Sequence, residues 1–284
     1  MAISTGSSTR CPKSGRNANW PVGQWRPDSF VWPGSATMSS PGYRPYQPQS
    51  QPLRLDENLW IVDGPEVGYR LAGLTLPCPT RMTVIRIGGA LWLHSPCDFS
   101  AALAAQLAAL GEIRWIVAPN SFHYTHIADW AAANPRAECH LSPDLPPRFT
   151  TLPSPAHALG DAAPAAWAEE IDQIQVDLGG FIETIFFHRP TSTVIVTDLM
   201  QNFEADRVVN PITRLILRAG GSIGPGGKTS IDIRLPARRH RDRVRAAAVQ
   251  MLAWAPKRII LSHGKCYDAN IPAEINRAFR WATG

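Results

Sequence analysis

The chain has 284 residues, 44% of them hydrophobic, enough to bury a sizeable core. Its formal charge of +5 is gathered at the start, where residues 1–50 carry Arg10, Lys13, Arg16, Arg26 and Arg44 against Asp28, leaving 23 basic and 22 acidic residues in the remainder; a body so nearly neutral argues against nucleic-acid binding, which needs a basic face. The five cysteines form no CxxC pair, excluding a zinc ribbon and a disulfide framework, and no apolar run reaches the length of a membrane span.

Residues 1–50 are rich in Ser, Pro, Gly and Arg, a composition that buries too little apolar surface to offset chain entropy, and they are expected to form a disordered basic arm ahead of one domain over 51–284. Scattered cysteines and the lack of an apolar signal region fit the cytoplasm; the Ser-rich, acid-poor start leaves an organellar transit peptide as the alternative. The domain opens with a strand over 55–64. Residues 82–87 and 90–94 flank Gly88-Gly89, a hairpin pattern with glycines where positive φ is required. Asp98 can cap a helix over 101–110, in which Leu103, Leu107 and Leu110 recur at helical spacing. A short buried strand ends at Ala118, a helix of about two turns covers 127–133 and a strand 137–141, an alternation that layered α/β sheets produce.

Residues 142–168 are proline-rich, including Pro143, Pro146 and Pro147, and read as a lid or insertion. Strands are predicted over 171–176, 181–187 and 193–197, with a turn at 190–192. A helix over 209–218 leads into the Gly-rich loop 220–228, whose spacing and Pro225 do not spell a phosphate-binding loop, so a mobile connector is expected. A long helix over 238–255 begins with an arginine cluster read as a solvated face. The last strand, 258–262, delivers His263-Gly264, and a helix over 272–281 closes the chain.

The functional residues concentrate in residues 113–130, IRWIVAPNSFHYTHIADW. An apolar strand stops at Pro119-Asn120 and a turn then presents His123, His126 and Asp129; in open α/β sheets ligands bind beyond such carboxyl ends. Two further strands end in metal-competent side chains, VIVT in Asp198 and IILS in His263. His94 is expected to hydrogen-bond across the sheet, His140 and His157 to be bystanders, and Trp60, Trp92 and Trp115 to be core. Cys266, three residues after His263, is weighed as a nucleophile, with no oxyanion-hole signal or third member beside it.

With these residues in place, the sequence resembles the metallo-β-lactamase-like superfamily, an αββα sandwich with metals on loops at one edge of two sheets. More narrowly, WIVAPNSFH, ETIFFHRPTSTVIVTDLMQN and ILSHG resemble DUF4336, a family of unknown function, over residues 55–284. The superfamily's first metal motif, HxHxDH, is broken here, with Asn120 or Phe122 standing where ligands belong. Where the superfamily places a histidine before its bridging aspartate, this chain offers Glu183, with His188 further along. The resemblance implies Asp198 as the bridging-type carboxylate and His263 as the last histidine.

The implied metal set is His123, His126, Asp198, His263 and Glu183, holding one divalent zinc, iron or manganese ion and no other cofactor. Asp198 and His123 are the expected catalytic pair, and Asn120, His188 and Asp129 are expected to support the ligands from behind or to touch substrate. Metal-bound water would attack an ester, amide or phosphoester of a small-molecule substrate. The alternative is a non-catalytic binding or assembly module that has lost its metals. Nothing in the sequence indicates a flavin domain, and no oligomeric state is assigned.

Overall fold

The computed structural model describes residues 42–71, 73–145, 152–225 and 227–284. The expectations for the arm over 1–41, with Cys11, for 146–151 of the proline-rich segment and for Gly226 lie outside the described residues. Residues 42–50 depart from the expected disordered arm. Tyr43 is fully buried against Leu76, Phe203 and Val208, and the carboxylate of Glu66 accepts its backbone N–H.

The chain begins β1 (Leu53–Asp56), β2 (Leu59–Asp63), β3 (Val67–Leu71), β4 (Leu74–Cys78), β5 (Arg81–Ile87) and β6 (Ala90–His94), followed by α1 (Ala101–Ala108). Next come β7 (Glu112–Ala118), α2 (Ile127–Ala133), β8 (Glu138–Leu141) and β9 (Ala156–Ala158). The second half runs β10 (Ile171–Asp177), β11 (Ile182–His188), β12 (Thr193–Val196) and α3 (Pro211–Gly220). It closes with α4 (Ile231–Arg234), a 3-10 turn (Pro236–His240), α5 (Arg241–Ala253), β13 (Arg258–Leu261) and α6 (Ile271–Thr283).

These elements form a seven-stranded sheet ordered β1-β2-β5-β6-β7-β8-β9, a four-stranded sheet β10-β11-β12-β13, and the separate hairpin β3-β4. The layering follows from side-chain alternation along strands buried on both faces. In β2, Leu59 and Ile61 point into the core between the sheets, where they join Trp92, Trp115, Phe186, Ile195 and Ile260. Trp60 and Val62 point the other way and pack with Leu103 and Leu107 of α1 and Trp130 of α2. Ile185, Val194 and Ile259 of the second sheet likewise face Val244, Ala248 and Met251 of α5 and Ile275 and Phe279 of α6. The result is helix, sheet, sheet, helix, as expected, with Trp60, Trp92 and Trp115 in the core. Among the described residues no helix is long and apolar enough to cross a membrane.

Several local expectations change. The single strand over 55–64 is two strands reversing at Glu57-Asn58, where Asn58 takes a φ of 59°. Asn is among the few residues that adopt that left-handed conformation, and its side-chain oxygen accepts the Arg86 guanidinium N–H from the neighbouring strand. Ser100, not Asp98, caps α1, its hydroxyl accepting from the Leu103 N–H at 3.2 Å. The Gly88-Gly89 turn forms as read, with φ of 54° and 88°. The proline-rich segment supplies the edge strand β9, and the long final-third helix starts at Arg241, since Pro236 opens a 3-10 turn instead. The Gly-rich loop is anchored: Gly221 closes α3 in the left-handed conformation and Ser222 accepts the Phe203 N–H.

Arg81 ties the two sheets together. Buried at the start of β5, it pairs with Asp63 at 2.8 Å and donates from Nη1 to the carbonyls of Leu261 and Gly264, each at 2.6 Å. Those carbonyls flank His263. A residue of the first sheet thereby fixes a loop of the second.

Candidate functional site

Strand polarity creates the site. β6 runs parallel to β7, and β12 parallel to β13 with Val196 opposite Leu261, so four carboxyl ends meet at one edge of the sandwich. Ser95 follows β6, His123 lies in the turn after β7, and Asp198 and His263 each sit two residues past a strand. The His263 loop is held close by Gly264, with φ of 99°; a Cβ there would lie 2.0 Å from the Asn202 carbonyl oxygen. No other residue fits that approach.

His123, Asp198 and His263 offer ligand atoms that all lie within 4.8 Å of one another. The two Nε2 atoms are 3.1 Å apart; His123 Nε2 is 3.1 Å from Asp198 Oδ2, and His263 Nε2 is 3.4 Å from Asp198 Oδ1. Each ring is oriented by its other nitrogen. His263 Nδ1–H donates to the Pro79 carbonyl at 2.7 Å, with Cys78 Sγ 3.2 Å away, and Ser95 hydroxyl bonds His123 Nδ1. That bond orients the ring so that His263 Nε2 faces Asp198, as outer partners orient a ligating imidazole; burial opposes charge on the ring, but Cys78 and Asp198 raise its pKa well above the ordinary value.

Asp198 is braced by two side-chain amides. The Asn120 amide donates to Asp198 Oδ2 at 2.8 Å and to Thr197 Oγ1 at 2.9 Å, and Gln201 donates to Oδ1 at 3.2 Å. The Asn120 carbonyl oxygen accepts from the N–H groups of Phe122 and His123, at 2.8 and 3.1 Å, so one side chain sets both the carboxylate and the histidine turn. Burial opposes the charge on Asp198, but His123 and then His263 hold its carboxyl far below the usual range. Burial pushes His123 down against the pull of Asp198.

The remaining predicted site residues separate. Glu183 is not in the ligand set: Oε1 accepts the Thr197 N–H at 2.8 Å, and Oε2 accepts those of Asp198 and Leu199, both at 2.9 Å. Burial, then the charge of Asp198, pushes its pKa up to about 7 against those bonds. His126 lines the same cavity as the triad but turns to Asp98, 3.7 Å from its carboxylate, and Asp129 is exposed on the first turn of α2. His188 occupies the opposite end of β11, opposite Ile171 and Thr193, bonded to the Thr191 hydroxyl at 2.8 Å. Among the described residues His94 finds no side-chain hydrogen-bond partner across the sheet; it stacks on Trp92 in the inter-sheet core. Cys266 faces Arg81 at 3.2 Å, so the thiol beside His263 is that of Cys78.

A cavity of about 310 Å³ has the triad at its floor. Its walls come from the β3-β4 hairpin, α3 and α4, including Val67, Leu76, Ile216 and Ile231. Sequence reading missed this hairpin, although Gly73 between two apolar-containing runs is a turn signal. It also missed Ser95 and Cys78, which no motif marks.

The donor set fits a divalent first-row ion. Two imidazole nitrogens and a carboxylate suit zinc, iron or manganese, and atoms bonded to one ion at about 2.0–2.2 Å lie up to about 4 Å apart, which accommodates the 3.1–3.4 Å separations.

Residues 59–214 match the model of a domain of unknown function, DUF4336, a span that holds His123 and Asp198 and stops short of His263. A comparison with curated proteins returns no sequence match. Similar solved structures include the metallo-β-lactamase FIM-1 from Pseudomonas aeruginosa in its mono-zinc form, with 12% identity, 82% of this chain and 96% of that one covered, and a TM-score of 0.52. The 1–254 fragment of the diflavin flavoprotein A 5 of Nostoc sp. PCC 7120 gives 12% identity, 82% and 95% coverage, and a TM-score of 0.56. Rubredoxin oxygen:oxidoreductase of Desulfovibrio gigas gives 10% identity, 82% and 60% coverage, and a TM-score of 0.56. At such identities the likeness establishes the metallo-β-lactamase fold and nothing finer.

Proposed function

The chain belongs to the DUF4336 family, and on that premise we propose that it is a mononuclear metal-dependent hydrolase of a small-molecule ester, amide or phosphoester. The observation carrying this reading is the convergence of His123, Asp198 and His263 at the floor of a cavity. Three protein ligands with an open position is the arrangement of catalytic rather than structural zinc. A divalent ion held there would supply Lewis acidity and acidify water at the open position toward neutral pH.

The chain's own residues do the rest. Asp198 and the two Nε2 atoms would hold the cation, and Asp198 would offset half of a divalent charge. The Pro79 carbonyl and Ser95 hydroxyl hold the rings in the ligating orientation. Asn120 and Glu183 immobilise the turn that carries Asp198, so little rearrangement accompanies binding. The apolar walls exclude bulk water, which strengthens each electrostatic interaction within.

The test is element analysis of protein purified without chelator or affinity metal, with zinc titration by calorimetry and an assay panel of esters, lactones, amides and phosphodiesters. About one equivalent of metal is expected, lost in Asp198→Asn and His263→Ala, with turnover abolished by either. Absence of metal after reconstitution overturns the reading. The alternative of a non-catalytic binding module is favoured by one observation, that the triad's three side chains already contact one another; metal binding without turnover, or neither, selects it.

A further inference from the structure

We propose that the substrate body held in this cavity is neutral and predominantly apolar: a carboxylic ester, lactone or amide with a hydrocarbon or aryl portion, and not a phosphorylated, nucleotide-linked or carboxylate-bearing compound. The proposal rests on the hydrolase reading for the bond that reacts. The shape and charge of the walls, read independently of any metal, decide the rest.

Among the described residues no lysine or arginine lines the cavity, although the chain carries 28. A charged group distal to the reacting bond would need such a partner, because guanidinium and ammonium groups are what bind phosphate and carboxylate away from a metal. The wall instead contributes a second carboxylate, Asp232, which accepts the hydroxyl of Tyr69 and joins the β3-β4 hairpin to α4. An anionic body would therefore leave water for walls that, away from the triad, offer it no lysine or arginine and one like charge.

The hydrocarbon portion is matched by Val67, Leu71, Leu76, Ile216, Leu217 and Ile231. Val67, Leu71, Ile216 and Ile231 remain half-buried, so apolar surface is left for a ligand to cover. The cavity's volume, about 310 Å³, suits a small molecule and lies at the lower end of ligand pockets. The bond to be cleaved would face the triad between the rings of Phe122 and Phe203, which line the floor beside His123 and His263.

The experiment compares two unreactive ketones, benzyl propyl ketone and its 4-carboxy derivative, the ketone replacing the ester linkage of phenyl butanoate. Binding to the full chain is measured by calorimetry and ligand-observed NMR, in metal-free and zinc-loaded protein. The neutral ketone should bind at least tenfold more tightly in both forms. Ile216→Trp, which fills the cavity from a half-buried position, should weaken it at least fivefold, and Ile216→Arg should narrow or reverse the preference. Leu71→Trp replaces Ile216→Trp if the latter does not melt cooperatively.

Equal or tighter binding of the carboxylate, no binding of the neutral ketone, or indifference to a folded cavity-filling variant would overturn the inference. The hydrolase reading fails separately: ketone preference without ester turnover refutes the chemistry and leaves the specificity, while turnover without the preference refutes the specificity alone.

Discussion

Replacing Glu183 removes the acceptor that, among the described residues, serves the N–H groups of Thr197, Asp198 and Leu199, which bond to it at 2.8, 2.9 and 2.9 Å. Its side chain is fully buried, so water cannot take over without a local opening. A stranded buried donor costs about 1–3 kcal/mol. Three of them, with partial relaxation, place Glu183→Ala at about 3–6 kcal/mol, a large share of the 5–15 kcal/mol typical of a domain. Glu183→Gln keeps the shape but turns an amide N–H₂ toward backbone donors, losing at least one bond for about 1–3 kcal/mol. Urea unfolding of wild type and Glu183→Gln, followed by circular dichroism and tryptophan fluorescence, measures the difference. Stability within about 0.5 kcal/mol of wild type, together with abolished zinc binding, would refute the brace and restore Glu183 as a ligand.

Arg81→Met should cost about 3–5 kcal/mol, because it strands the buried Asp63 carboxylate. The double variant with Asp63→Asn should recover part of that loss in denaturant unfolding; no recovery would mean that the lost bonds to the Leu261 and Gly264 carbonyls dominate. Stability should also fall in acid through His188. Burial holds its pKa down to about 4, with Asp56 pulling weakly the other way, whereas in the unfolded chain it titrates near 6.5. Above about pH 6.5 the ring is neutral in both states. As pH falls from about 6.5 to 4 only the unfolded chain takes up the proton, so up to about 3 kcal/mol is lost progressively across that window. His140, also lowered to about 4 by burial, adds to the slope. Unfolding of His188→Asn at pH 7, 5.5 and 4.5 should show a shallower decline than wild type, and an equal slope would contradict this account.

Local periodicity made much of the fold legible. The α2 boundaries, the Gly88-Gly89 hairpin and the strand preceding Asp198 depend on neighbours in sequence, which share a face or a turn whatever lies across from them. The β3-β4 hairpin escaped because it belongs to neither large sheet and its strands alternate only partly between buried and exposed positions. The 1–50 arm was drawn too long because Tyr43 is buried by Leu76 and Val208, partners far along the chain.

For the site, the sequence determined that His123, Asp198 and His263 would stand just past strand ends, since an apolar run followed by a turn-forming polar residue is a local signal. Which polar residues would meet was decided by tertiary structure alone. Glu183 is drawn to three backbone N–H groups and His126 to Asp98, while the thiol beside His263 comes from Cys78, 185 positions away, rather than from Cys266. A ligand set is a set of directions in space, and those directions are fixed by which strands pair in parallel and which carbonyls orient each ring, contacts that spacing along the chain does not encode.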